Sequence, residues 1–238
     1  MTLLALENVC KTYYRGGRHR LPILREVSLH VDAGELIAVV ADPTAGKTTL
    51  LRIVAGLEPP DTGTVRFAGK LLPATNDLDP RIALVTRTPP PRETTSLPMT
   101  DFVALALMDQ TSKREARQRT DAILDAFDLC SLERATWPEL SDVERTLLRI
   151  AQAVVRRPAL LLLDDPVLGL GISQTETVLS QIRHAARTHA TATLMAVGHP
   201  SETLYADATF TLNAGALLET SRPPACGQVV DFPTGRVS

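Results

Sequence analysis

Ala41-Asp42-Pro43-Thr44-Ala45-Gly46-Lys47-Thr48-Thr49 is the stretch that decides the fold. Ahead of it, Leu36-Ile37-Ala38-Val39-Val40 is an uninterrupted apolar run that reads as a buried strand. Behind it, the apolar positions from Leu50 to Leu57 suit a packed helix. Strand, loop, Gly-Lys-Thr and helix form the layout of a phosphate-binding P-loop. Its residue types answer to the chemistry. Backbone N–H groups and the helix N-terminus face the phosphates, where the helix dipole favours negative charge. Lys47 then reaches the outer phosphates, and the Thr48 hydroxyl ligates Mg²⁺. The loop also departs from the pattern. Ala41 stands where the pattern opens with glycine, Pro43 removes a donor, and Asp42 brings a negative charge towards the phosphate oxygens. Thr44 stands where many such loops carry a second glycine; a left-handed backbone there would cost about 1–2 kcal/mol. A bare Gly-Lys-Thr also begins ordinary helices, and the flanking strand and helix are what set this one apart.

The rest of the composition bounds the answer. At 238 residues the chain suits one large domain, or a core with a small subdomain, and can bury a full core without metals or disulfides. Twenty-five Lys+Arg against 27 Asp+Glu give a net charge of −2, so charge does not argue for nucleic acid. Cys10, Cys130 and Cys226 are scattered without metal-ligand spacing, as expected of free thiols in a reducing compartment. The N-terminus lacks a signal-peptide pattern, and no apolar run approaches the ~18 residues of a membrane span. A membrane role would come through a partner.

Taken in order, residues 3–9 alternate weakly and read as a strand. Lys11 to Arg20 reads as a basic turn with two tyrosines, either of which could stack on a flat base or pack in a small sheet. Ile23 to Val31 is the next strand, and Thr64 to Phe67 and Arg81 to Thr86 are two more. Arg87 to Pro98, with four prolines, is an exposed, stiff connection leading into a helical insert. There Thr100-Asp101 is expected to cap a helix from Phe102, followed by an amphipathic helix over Lys113–Leu129. Leu140-Ser141-Asp142-Val143-Glu144 opens a helix that runs to about Arg157. Ala159 to Asp164 is a buried strand ending in the carboxylates Asp164 and Asp165, the arrangement in which one Asp holds Mg²⁺ and its neighbour orients a water. A later strand, Thr193 to Val197, leaves His199 at its C-terminal end, beside the ligand crevice of a parallel sheet or simply hydrogen-bonded there.

P-loop, Leu-Ser-led helix, Leu-Leu-Leu-Leu-Asp-Asp-Pro and strand-terminal His occur in the order seen in ABC transporter ATP-binding subunits. The chain resembles that family from Leu6 to Gly215, and Val27-Ser28-Leu29 before Gly34-Glu35 is most similar to subunits of the lipoprotein-release and macrolide-export type. The resemblance implies an α/β fold: a P-loop NTPase core of ABC type with a parallel sheet, an antiparallel β subdomain and a helical insert. It implies one nucleotide-binding domain over 1–238, with a helical subdomain at about 99–157 and a tail at about 221–238. By likeness, Tyr13 stacks on adenine. Ala45, Gly46, Lys47, Thr48 and Thr49 bind nucleotide, and Thr48 and Asp164 hold Mg²⁺. Asp165 and His199 stand at the catalytic positions. Ser141 belongs to the signature that completes the site of a second, head-to-tail nucleotide-binding subunit. The implied cofactors are ATP and Mg²⁺. The implied place is the cytoplasmic face of a membrane, on a transmembrane permease subunit, with no nucleic acid.

Departures from the family pattern are as specific. Arg87 replaces a glutamine, Asp142-Val143-Glu144 replace Gly-Gly-Gln, Asp165 replaces a glutamate, and Gly171 replaces an aspartate. Asp142 is expected to repel a phosphate and Val143 to obstruct it. A carboxylate misplaced by ~1 Å can cost on the order of 10²-fold in rate. The expectation is an ATP-binding subunit with weak or absent hydrolysis; the alternative is a non-catalytic scaffold or regulatory subunit.

Overall fold

The computed structural model describes residues 2–15, 19–75, 77–108 and 110–222. Its centre is a six-stranded sheet ordered β10(Ala216–Ser221)-β9(Ala208–Asn213)-β3(Leu36–Val40)-β8(Ala192–Val197)-β7(Leu160–Asp164)-β6(Ile82–Val85). All pairs are parallel except β9 with β10. Every residue of β3, β7 and β8 is buried, which is why these segments read as unbroken apolar runs rather than alternating ones. Alternation survives in which side each residue faces. Leu160 and Leu162 join one apolar cluster with Leu50, Leu51 and Ile53 of helix α1(Lys47–Val54). Leu161 and Leu163 join another, with α4(Asp142–Val154) and α5(Ile172–Thr188). The sheet is thus covered on both faces, and the C-terminal ends of β3, β7 and β8 converge on the P-loop.

A second, antiparallel sheet has the order β2(His19–Asp32)-β1(Thr2–Arg15)-β4(Thr62–Phe67)-β5(Lys70–Leu71). Here the structure corrects the sequence reading. Lys11 to Arg15 is not turn but the end of β1, paired through Tyr13↔Leu21 and Tyr14↔Arg20. Lys11 explains the misreading: it looks like a loop residue but is buried, donating to Pro59 O at 2.7 Å and pairing with Glu58 at 3.2 Å.

The helical insert holds α2(Met99–Ala104), α3(Lys113–Ala126) and α4. Thr100-Asp101 is not the cap of α2; Pro98 is, with no side-chain bond, and the helix entry is fixed instead by Met99 N–H donating to Ala135 O at 3.0 Å. α3 stops at Ala126, short of Leu129, because Asp128 turns to a left-handed backbone at φ 56°. Arg87–Pro98 is less free than expected, since it holds a short 3-10 turn at Arg92–Thr94 and Thr95 O accepts from Trp137 N–H at 3.2 Å. Trp137 packs on Phe102 with ring centroids 5.7 Å apart, as its place in the insert suggests. At the far end, the strand β10 and the Arg222–Glu35 ion pair (2.9 Å) take up the first residues assigned to the tail; residues 223–238, with Cys226, lie outside those described. Among the described residues no helix is long and apolar enough to cross a membrane.

Candidate functional site

Gly46 caps α1 with φ +104°, a conformation that suits glycine, and an added Cβ would meet Ile23 Cγ2 at 2.5 Å. Thr44 is not among the residues with positive φ, so the cost that a left-handed backbone would carry there does not arise. Ala41 is buried and donates its N–H to Val197 O at 3.0 Å, which ties the loop's start to the end of β8. Ala45 turns its N–H inward, to Asp42 O at 3.0 Å.

Lys47 is 3% exposed and extends along the sheet's C-terminal edge. Its Nζ donates to Ala41 O at 2.9 Å and Val197 O at 3.4 Å, and pairs with Asp165 Oδ1 at 2.9 Å. Thr48 Oγ1 donates to Asp164 Oδ2 at 2.8 Å. The other Asp164 oxygen is buried without a hydrogen-bond partner, and burial pushes this carboxyl above the usual range. A hydroxyl beside a carboxylate with an open, buried oxygen fits a hard divalent cation, which commonly takes one or two protein oxygens and completes its shell with phosphate and water. Thr48 and Asp164 are therefore the residues that would hold Mg²⁺. When bound, the ion would neutralise phosphate charge.

Asp165 stands differently from a residue poised over water. Its backbone is left-handed at φ +48°, its N–H donates to Ala196 O at 2.9 Å, and its carboxylate folds back onto Lys47. Aspartate is among the few non-glycine residues that adopt this conformation readily. His199 lies past the end of β8, with its Nδ1 accepting from Ser201 N–H at 3.1 Å and 2.7 Å from Ser201 Oγ, while Nε2 has no hydrogen-bond partner among the described residues. Glu202 fixes this corner by accepting from Gly198 N–H at 2.9 Å and His199 N–H at 3.1 Å.

Tyr13 and Tyr14 part company. Tyr13 faces α1, with its hydroxyl donating to Glu58 at 2.6 Å and lying 3.4 Å from Thr49 Oγ1. Tyr14 is more exposed and meets Arg20, whose guanidinium carbon is 5.8 Å from its ring centre. Of the two, Tyr13 shares a face with the P-loop helix.

Ser141 is the N-cap of α4 and is fully engaged in a reciprocal box with Glu144. Ser141 N–H and Oγ both donate to Glu144 Oε2, at 2.7 and 2.8 Å, while Glu144 N–H donates back to Ser141 Oγ at 3.3 Å. Asp142 adds a second carboxylate, paired with Arg145 at 3.2 Å. Val143, expected to obstruct a phosphate, is half-buried and packs against the apolar core. The start of α4 thus already holds an anion of its own. Gly171, at the N-terminus of α5, is similarly closed by Gln174 Oε1, which accepts its N–H at 2.9 Å.

Sequence reasoning missed Glu58, Glu202 and the capping function of Glu144. Only the last had a sequence signal: Ser-x-x-Glu ahead of an apolar helix is the capping-box pattern.

The strand order and the P-loop between β3 and α1 define a P-loop NTPase core with an antiparallel subdomain and helical insert. The sequence model of the ABC transporter family matches residues 24–168, and the chain belongs to that family. It is 30% identical over 230 residues to the Fe(3+) ions import ATP-binding protein FbpC of Pseudomonas fluorescens, covering 94% of this chain and 62% of that one. It is 26% identical over 236 residues to the glucose import ATP-binding protein GlcV of Saccharolobus solfataricus, covering 94% and 64%. It is also 28% identical over 220 residues to the sulfate/thiosulfate import ATP-binding protein CysA 2 of Chromobacterium violaceum, covering 88% and 58%. The chain thus spans about three fifths of the length of these relatives. Their import names lend no support to the likeness to lipoprotein-release and macrolide-export subunits. Among solved structures, cbiO1 of Clostridium perfringens, part of the ABC transporter complex cbiONQ, superposes with a TM-score of 0.80 at 21% identity over 91% of this chain and 87% of that one. A dimeric ATP-binding cassette in a post-hydrolysis state with ADP and Pi gives 0.74 at 24% identity, over 90% and 96%. At these identities the structures speak for the fold alone.

Proposed function

We propose that this chain is the ATP-binding subunit of an ABC transporter complex, held at the cytoplasmic face of the membrane by a permease subunit, and that it turns ATP over slowly or not at all. The observation that carries the reading is the combination, at one sheet edge, of Lys47, Thr48 and Asp164 joined by a 2.8 Å bond, with an open carboxylate oxygen. A scaffold that never met nucleotide would have no use for a buried lysine, a hydroxyl and a carboxylate with one open oxygen at the same point. In this reading Lys47 holds the outer phosphates, Thr49 lies beside them, Tyr13 carries the base, and His199 Nε2 approaches the terminal phosphate. The import names of the relatives favour an import complex, although those names cover iron(III), glucose and sulfate and so fix no cargo.

Slow turnover follows from two contacts. Asp165 pairs with Lys47 at 2.9 Å instead of standing free to orient a water, and Glu144 holds the Ser141 donors that a second subunit's terminal phosphate would need. Both halves of a composite site made from two copies would be impaired, so a more active second nucleotide-binding subunit is the fitting partner. The scaffold reading rests on these same two contacts and differs only in denying that nucleotide binds. Incubating the purified chain with labelled ATP and separating the bound nucleotide decides the matter. Recovery of bound label as ATP supports the proposal, rapid conversion to ADP contradicts slow turnover, and no bound label at all favours the scaffold.

A further inference from the structure

Between α2 and α3 lies a cavity of about 260 Å³ that shares no lining residue with the P-loop or with the ends of β7 and β8. Its walls are small or apolar: Ala104 on α2, Leu107 and Met108 just beyond it, and Ala116 on α3. Met108 is 70% exposed, an apolar side chain that the core does not use. Thr120, also on the wall, is 1% exposed, and its hydroxyl has no hydrogen-bond partner. Threonines in the other helices bond back to the preceding turn. Thr146 Oγ1 donates to Asp142 O at 2.9 Å, and Thr177 Oγ1 donates to Ser173 O at 3.0 Å. Thr120 forgoes that bond, and a buried hydroxyl left unpaired costs free energy. Among the described residues, the other buried side-chain oxygens without a hydrogen-bond partner belong to Asp164 and Asp165, at the candidate nucleotide site. At the rim the charges balance. Asp101 and Asp121 stand against Lys113 and Arg117, with Arg117 and Asp121 paired at 3.5 Å.

We propose that this cavity is a binding site for a small uncharged aromatic alcohol, with its ring held between α2 and α3 and its hydroxyl bonded to Thr120. An apolar cavity of about 150 Å³ takes up benzene, so this one has room for two fused rings. The balanced rim offers no net attraction to an ion, and the apolar walls penalise burying one. The Met108 thioether favours an aromatic neighbour. A threonine hydroxyl both donates and accepts, which matches a hydroxyl partner and relieves the unpaired oxygen. Once bound, the ring would join α2 to α3. Gln152 Nε2 of α4 already donates to Phe102 O of α2 at 2.7 Å, so the occupant would brace the helices of the insert as one unit. The inference does not depend on the nucleotide-site reading, and its failure would leave that reading untouched.

The test is a fluorescence titration of 2-naphthol with the full chain, for the wild type, Thr120→Val and Ala104→Leu, with 2-naphthoate as the charged control. The wild type should bind 2-naphthol at one saturable site and 2-naphthoate at least about tenfold more weakly. Thr120→Val should melt no lower than the wild type, because the hydroxyl it removes makes no bond, and should weaken 2-naphthol by about three- to tenfold. Ala104→Leu, which fills the space between the helices, should abolish binding. In the wild type, saturating 2-naphthol should slow amide hydrogen exchange in α2 and α3, a reading that needs no variant to fold. No saturable binding up to the solubility limit would overturn the proposal. So would undiminished binding in a folded Ala104→Leu or Thr120→Val, binding of 2-naphthoate as tight as that of 2-naphthol, or slowed exchange confined to other elements.

Discussion

Asp165 carries more of the account than any other side chain, because its carboxylate pairs with Lys47, which in the proposed site would hold phosphate, and so would not be free to orient a water. An incoming phosphate must displace it. Asp165→Asn removes that competitor while Lys47 keeps its bonds to Ala41 O and Val197 O, so ATP affinity should rise by about three- to tenfold in a fluorescence titration. Unchanged or weakened affinity would show that the ion pair is no obstacle. At this scale the sequence was a good guide to which residues gather at the site, since strand ends and a Gly-Lys-Thr turn leave little choice of position. It was a poor guide to what they do once there. Thr44 escapes the left-handed backbone that would have been costly there; Asp165, singled out for its carboxylate and not for its backbone, adopts one. Backbone conformation in a loop depends on what lies beneath it, and a single sequence does not display that.

Among the elements, α4 shows how local rules and function pull apart. Ser141 and Glu144 make a sound helix start from the residues where a phosphate-receiving helix would leave its donors open. Ser141→Ala should therefore lower stability by about 1 kcal/mol in urea unfolding, a cost that an uncapped helix start would not show. The strand β9 is anchored in another way. Both carboxylate oxygens of Asp207 accept from the Arg183 guanidinium, and Asp207 Oδ2 accepts from Leu36 N–H at 2.8 Å. Burial alone would raise this carboxyl, but these donors outweigh it and hold it below the usual range. A depressed carboxyl contributes stability that is present above its unfolded value of about 3.9 and is lost as pH falls through the folded one. Asp207→Asn should accordingly lower the melting temperature at neutral pH, with the gap to the wild type narrowing below about pH 4; a gap independent of pH would contradict the charge-based account. Central strands and α4 were legible because apolar runs are local signals, although the capping box that opens α4 was overlooked. The β1–β2 hairpin was legible in its two strands but not in its length, because a buried Lys11 and two tyrosines look like turn chemistry until Glu58 and Pro59 are brought alongside.

For the whole molecule, family membership and fold are settled, and partnership is the open matter. With Glu144 and Asp142 at the start of α4, two copies meeting head to tail would set carboxylates against each other's terminal phosphates. Light scattering in Mg-ATP should find the wild type monomeric. The combined change Asp142→Gly, Val143→Gly and Glu144→Gln should produce an ATP-dependent dimer, and a dimer of the wild type would count against the self-capped signature as the barrier.

The central claim is that the P-loop binds nucleotide even though hydrolysis is impaired. Calorimetric titration of the wild type and Lys47→Ala with Mg-ATP tests it most directly. The account predicts one saturable site in the wild type and its loss in Lys47→Ala, with both proteins folded. Absent binding in the wild type, or equal binding in the two, would contradict it.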